Sequence, residues 1–465
     1  MNLDSYLALV KRGLDENQKL LPLLSINPLE ASHLASLQQN LQGISDKQIT
    51  AIVDKCNFSW PSFESFIESY LRFTSDVDPW SLLNSIDYMI EVMGSLSIAL
   101  NTKNPSWLLL LLPVLEEYIK ILIPLSKLVD NESLKLKNWS DDYPRLSEIS
   151  NILLKCLNNI RSDPDINQPS NKIKIVSLFN VCISLCNVYF SIDRHILCNN
   201  VFSNMNVLQL DVQLIQFKQL LQYRFIVGKF YSQQAQYTPA YNHLNWCYEN
   251  LPTKCGIVDR VKILKYLLPV GLLVGKIPDI HVLHKLITSS VANKDATSAR
   301  YFLNSILPLI SAYKKGDFLR TSLIISKHEN IWQKFGLWVG LTQRLKLLIT
   351  RNLLVRVYML KNKTLNISDI KIALDVSIGC KIETGESLVP YIYQMIENLT
   401  PSGVERSTVE NLIGLLVSNG LLKAKLQAGS NILVMSKDKP FPPVFDVYMT
   451  NNPLPSKEAW LNINV

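Results

Sequence analysis

The sequence predicts a mainly α-helical protein: a helical-repeat, tetratricopeptide-like solenoid that ends in a C-terminal winged helix. Three observations carry this expectation. Apolar residues recur at spacings of three and four along almost the whole 465-residue chain, the period of helices with one buried face. Glycine is scarce, at 16 residues, against about 7% in average usage, which disfavours a turn-rich sheet protein. After a very basic stretch the pattern changes once, to shorter helical segments followed by an alternating hairpin.

The first 24 residues have acidic residues early and no basic start leading into an apolar core, so they do not read as a secretory signal. Asp76 and Asp78 precede Pro79, an arrangement that caps a helix starting at Pro79 with Trp80 buried as a staple. Residues 107–115 are intensely apolar but stop at Glu116, Glu117 and Lys120, too short to cross a bilayer. The adjacent Glu116 and Glu117 point apart on a helix and read as solvated, as do Asp141 and Asp142. Residues 175–192 hold no charge but include Ser177, Asn180, Ser184, Asn187 and Ser191, which predicts a helix buried on most sides and not a membrane span.

Polar breaks are expected at 25–27, 130–132, 162–172, 251–256 and 289–297. The stretch 162–172, with two prolines and no apolar cluster, divides an N-terminal helical region, 1–161, from the central array, 173–341. In that array Gly228, Tyr231, Ala240, Leu244, Cys247 and Pro252 match positions 8, 11, 20, 24, 27 and 32 of a tetratricopeptide unit. Gly228 and Ala240 let two antiparallel helices approach, and Pro252 ends the second. Arg224 departs from the template, where an apolar residue is expected at position 4. Further helical pairs follow at 258–275 with 279–288, then 296–313, as in an irregular solenoid.

The closing module is expected over 342–436. Residues 342–361 read as a long helix, Ser368 caps a second through about Val376, and 379–402 form an insertion with a short helix. Ser407 and Glu410 make a capping box for a third helix that places Val409, Leu412, Ile413, Leu416 and Val417 on one face and stops at Asn419-Gly420. Leu422, Ala424 and Leu426 alternate with Lys423 and Lys425, and after a turn at 428–430 residues 431–435 form a second strand. Helices and hairpin in this order make a winged helix, with 437–465 as a proline-rich tail.

Charge is the strongest pointer to function. Residues 314–363 hold eleven Lys and Arg against Asp317 and Glu329, a net +9 in a chain whose formal total is +8. A localised field of that size points to a polyanion. The candidate phosphate contacts are Arg344, Lys346, Arg351, Arg356, Lys361 and Lys363, joined by Lys423 and Lys425 of the hairpin. Arg344 and Arg351 share one helix face, with Arg356 and Lys363 about a third of a turn round. The third helix offers no Lys or Arg within 408–419, so nucleic-acid contact is expected to be sequence-tolerant.

No catalytic or cofactor constellation is evident. The eight cysteines form no C-x-x-C pair, and Cys182 and Cys186 read as reduced, buried thiols. His281 and His284 lack the companions of a metal site, and no phosphate-binding loop, H-E-x-x-H or G-x-S-x-G is present. The expectation is a binding protein without cofactors and not an enzyme.

A solenoid running into a winged helix resembles the PCI family of proteasome-lid, signalosome and initiation-factor subunits. The segments DVDPWS (76–81), YRFIVGKFY (223–231), LLPVGLLVGK (267–276), VSIG (376–379) and LVSNGLLKA (416–424) are more narrowly similar to the fungal PCI subunit of the transcription-coupled mRNA-export complex at the nuclear pore. The resemblance implies a nuclear, pore-associated, non-enzymatic scaffold. It also implies pairing with a large PCI-like scaffold subunit, a small acidic extended protein shared with the proteasome lid, and a joint surface for RNA or DNA. Arg260, Lys262 and Lys265, flanking apolar helix positions, are candidate contacts for the acidic protein. The alternative is a structural subunit of a lid- or signalosome-like assembly with no nucleic-acid affinity.

Overall fold

The computed structural model describes residues 2–27, 33–78, 81–102, 104–135, 143–162, 171–252, 254–290, 297–361, 365–379, 399–400, 403–427 and 431–462. Lys363, Pro79 and Trp80, the adjacent pair at 141–142, and most of 162–172 and 379–402 lie outside them. The chain divides into two compact units, Met1–Ile226 with Ala459–Val465, and Val227–Glu458.

The first unit is a stack of helices: α1 (Leu3–Asp15), α2 (Leu21–Leu24), α3 (Leu34–Leu41), α4 (Asp46–Cys56), α5 (Pro61–Asp76), α6 (Leu82–Ala99), α7 (Pro105–Lys135), α8 (Pro144–Arg161), α9 (Lys172–Ser191) and α10 (Cys198–Val207). The next helix, α11 (Phe217–Gln233), contains the division point. α2 is too short to satisfy its own carbonyls, so buried tyrosines do it. Tyr6 of α1 donates to the Leu23 carbonyl (2.9 Å), Tyr118 of α7 to Leu24 (2.8 Å) and Tyr70 of α5 to Ser25 (2.8 Å). Burial pushes all three phenol pKa values well up.

Three expectations for this unit need correction. α7 runs without a break through 130–132, because Asp130 is fully buried yet accepts from the Leu146 amide (3.0 Å) and lies 3.7 Å from Arg145. A paired carboxylate can occupy a core position that an unpaired one cannot. Glu116 and Glu117 do point apart, but neither is simply solvated. Glu116 accepts from Ser177 (2.7 Å) and Asn180 (3.1 Å) of α9, and Glu117 accepts from Ser25. α6 begins at Leu82 behind Ser81 and not at Pro79; Asp76 instead closes α5.

α9 is the expected buried helix. Among the described residues it alone is long and apolar enough to cross a membrane by composition, yet most of it packs inside the stack against α7 and α8. Cys182 and Cys186 are buried in it, as is Cys198 at the start of α10.

The second unit continues with α12 (Tyr237–Glu249), α13 (Ile257–Leu273), α14 (Ile280–Ser290), α15 (Thr297–Lys315), α16 (Phe318–Lys327), α17 (Glu329–Lys334) and α18 (Trp338–Gln343). The tetratricopeptide match holds in space. A Cβ on Gly228 would sit 2.8 Å from Leu244 Cγ, and Ala240, Leu244 and Cys247 are all buried.

The winged helix is built from α19 (Leu345–Leu360), β1 (Leu365–Asn366), α20 (Ile367–Ile378), α21 (Arg406–Ser418), β4 (Ala424–Leu426) and β5 (Ile432–Met435), with a separate pair, β2 (Leu399–Thr400) and β3 (Gly403–Val404), before α21. Its antiparallel sheet has the order β1-β5-β4, with Leu365 opposite Leu433 and Lys425 opposite Val434. Three boundaries differ from expectation. Arg344 interrupts the long helix between α18 and α19. α20 follows Asn366, so Ser368 is inside it and not its cap. α21 starts at Arg406, so Ser407 is also internal, and Glu410 pairs with Arg406 at 2.7 Å in place of a capping box.

Winged helix and solenoid share hydrogen bonds. The C-terminal carbonyls of α15 are taken by Asn352 (to Tyr313, 3.0 Å), Arg356 (to Lys315, 3.0 Å) and Ser377 (to Gly316, 2.7 Å). These are the acceptors that a helix end leaves open. After β5 the chain returns along the solenoid through α22 (Val444–Asn451), with Val444 against Gly275 and Phe445 edge-on to Tyr241 at 5.4 Å. Beyond it the buried Glu458 accepts from Tyr231 and lies 2.9 Å from His243 Nε2.

Candidate nucleic-acid interface

The basic residues singled out in the sequence fall into separate environments. Lys425 is exposed on β4, an edge strand of the sheet, and Lys423, also exposed, stands just before that strand, two residues away and therefore on the same face. The Lys423 backbone is anchored to Pro440 (2.8 Å) and Ser436 (2.9 Å), which fixes the strand while its side chain stays in solvent.

The α19 cations are differently placed. Arg344 and Arg351 both lie near Tyr448 of α22, but only Arg351 is held by the returning chain. Arg351 donates to the carbonyls of Pro442 (2.8 Å) and Phe441 (3.3 Å), and its burial pulls its pKa below the usual value. Arg344 is exposed, with its guanidinium 5.0 Å over the Tyr237 ring. Lys346 is half-buried. Arg356 caps α15, and Lys361 pairs with Asp369 at 3.1 Å.

Arg356 brings with it two residues that the list of candidates left out. Lys314 and Lys315 are exposed at the C-terminus of α15, where cations are favoured by the helix dipole. They were visible as part of the basic stretch. Only the fold shows that Arg356 binds the Lys315 carbonyl and so joins them. Arg406 extends α21 beyond the expected start, but Glu410 neutralises it, so the third helix still presents no spare cation.

On α13, Lys262 pairs with Asp259 (2.8 Å), Arg260 is partly buried, and Lys265 is half-buried. Burial lowers the Lys265 pKa, and the neighbouring Lys334 and Lys262 lower it further. Lys229 lies 5.9 Å over the Tyr266 ring on the same helix, so Lys334 and Lys229 extend this patch beyond the residues read from sequence. His281 and His284 are exposed on α14, and among the described residues no group of three His, Cys, Asp or Glu is placed to hold a metal.

Helical repeats running into a winged helix are the layout of PCI-domain proteins, and the chain has this fold. No family model matches it. It is similar to the nuclear mRNA export protein THP1 of Saccharomyces cerevisiae, 26% identical over 87% of this chain and 88% of that protein. A PCI domain-containing protein of Schizosaccharomyces pombe is 23% identical over 79% of the chain and 75% of its own length. PCI domain-containing protein 2 of Xenopus laevis is 23% identical over 83% and 86%. The resemblance read from the short segments thus extends over most of the chain.

Proposed function

We propose that the chain is a non-enzymatic scaffold subunit of a nuclear, pore-associated mRNA-export complex. In it the chain pairs with a large PCI-like scaffold subunit, carries a small acidic extended protein on the α13 patch, and offers a basic winged-helix surface to RNA or DNA. The observation that carries this reading is the near end-to-end likeness to a nuclear mRNA export protein, at 87% of one chain and 88% of the other. For nucleic acid, the support is the solvent-facing pair Lys423 and Lys425. Because α21 has no spare cation, the contact is to phosphates and is indifferent to sequence. The working domain scheme is 1–161, 173–341, 342–436 and 437–465.

The test is mass spectrometry of what co-purifies with the tagged chain from its native cells. A large scaffold, a small acidic subunit and nuclear-pore proteins are expected. Recovery of proteasome-lid or signalosome subunits would overturn the export reading. One observation favours that second reading: Arg351, Arg356 and Lys361 all bind groups within the chain itself. Salt dependence decides the point. Reversing both lysines, Lys423→Glu with Lys425→Glu, is expected to flatten the plot of log affinity against log salt by about 1.4, at about 0.7 per single-strand phosphate contact.

A further inference from the structure

A cleft of about 740 Å³ opens in the second unit where the α11–α12 turn, Leu273 and Val274, the start of α19, the end of α21 and α22 meet. Its polar wall includes Gln236, Tyr237, Arg344, Asn419, Tyr448 and Asn451, and among the described residues no carboxylate lines it. Arg344 is the one cation of this wall. Its guanidinium carbon lies 5.0 Å from the centre of the Tyr237 ring, and the Tyr237 hydroxyl reaches Gly340 so closely that a Cβ there would be only 2.1 Å away. The ring is therefore closely packed at its hydroxyl end, and Arg344 beside it lines the cleft.

The backbone of the wall is strained at one point. Ala235 holds φ +57°, with the Gln236 amide bonded back to the Tyr231 carbonyl at 3.0 Å. The same helix-ending turn is made by glycine at Gly275, Gly316, Gly336 and Gly420. A side chain kept in left-handed backbone beside a cleft is the kind of strain that gathers at binding sites.

We propose that this cleft is a single-nucleotide subsite for single-stranded nucleic acid, with the phosphodiester on Arg344 and the base against the amide wall. The inference rests on the nucleic-acid reading above. One unopposed cation balances the one charge of a phosphodiester, whereas a phosphomonoester or an acidic peptide would bring charge that nothing here neutralises. Asn and Gln side chains present donor and acceptor together, which base edges require.

The test is fluorescence anisotropy with the full chain and a 12-nucleotide single strand, made as RNA and as DNA so that the source is told apart. Arg344→Ala and Gln236→Glu are expected to weaken binding about 10-fold, the scale of one lost hydrogen bond to a charged group. Gln236 is exposed and makes no side-chain hydrogen bond at the start of α12, so the melting temperature of its variant should match the wild type. Asn451→Ala should weaken the base-bearing strand and leave an abasic strand of equal length unaffected. If Lys423→Glu with Lys425→Glu weakens binding while the cleft variants do not, the subsite is wrong and the wider reading stands. If the wild type binds neither strand, both fall. If the cleft variants affect only a Glu-rich 12-residue peptide, the cleft belongs to a protein ligand and the proposal is overturned.

Discussion

Substituting Gly316 by alanine should loosen the winged helix from the solenoid. Gly316 has φ +71°, and a Cβ there would lie 2.7 Å from the Leu353 nitrogen and 2.8 Å from its Cα. Those are backbone atoms of α19, so no side chain can rotate out of the way. The left-handed conformation costs an L-residue roughly 1–2 kcal/mol. Overpacking against a rigid neighbour adds about 1–3 kcal/mol. The reduced freedom of the unfolded chain returns only about 0.4–1 kcal/mol.

The net is a loss of roughly 1–5 kcal/mol, or about 2–18 °C in melting temperature for a unit of this size. Calorimetry of the variant beside Gly414→Ala gives the contrast. Gly414 is exposed within α21 with no atom within 4 Å of its added Cβ, so alanine there should gain about 0.5–1 kcal/mol of helix propensity. A Gly316→Ala transition within about 2 °C of the wild type would refute the account of how the two parts are joined.

Other substitutions probe the remaining features. Gly228→Ala meets Leu244 side-chain carbons at 2.8 and 3.0 Å, softer obstacles than backbone, so chemical denaturation should show a loss of about 1–3 kcal/mol. Arg145→Ala leaves the buried Asp130 without its cation, and removing one partner of such a pair costs about 3–5 kcal/mol. Burial pushes the Cys156 thiol up from 9.0 to about 12. Its protonated form is therefore favoured by folding, and the associated stability is complete below pH 9 and is lost as pH rises toward 12. At pH 8 Cys156 should resist alkylation in the native chain and react on unfolding, as peptide mass mapping would show.

What could be read from sequence follows from the range of each interaction. The Gly228–Ala240–Pro252 pattern was legible because it is steric and local, one helix pair deciding its own spacing. The winged helix was legible because period and turn residues change together. Asp130 was misread as a break because its partners, Arg145 and the Leu146 amide, belong to the next helix. Ser407 was misread as a cap because Arg406, one residue before it, already lies in the helix and offers Glu410 a stronger partner. The basic stretch showed its charge but not its disposition. Arg351 and Arg356 bind carbonyls 91 and 41 residues away, and no periodicity encodes an acceptor that every residue carries.

The buried Glu458 also sets a schedule. It lies 215 residues beyond His243 in the chain. At about 5–20 residues per second, a ribosome takes roughly 10–40 s to cover that distance. Throughout that interval the repeat that holds Tyr231 and His243 is already made, but its polar pair has no partner. The second unit therefore cannot complete its interior during early synthesis. Slowed translation or a premature stop ahead of Glu458 would prolong the exposed state, which makes this stretch of the message a point where a chaperone has most to do.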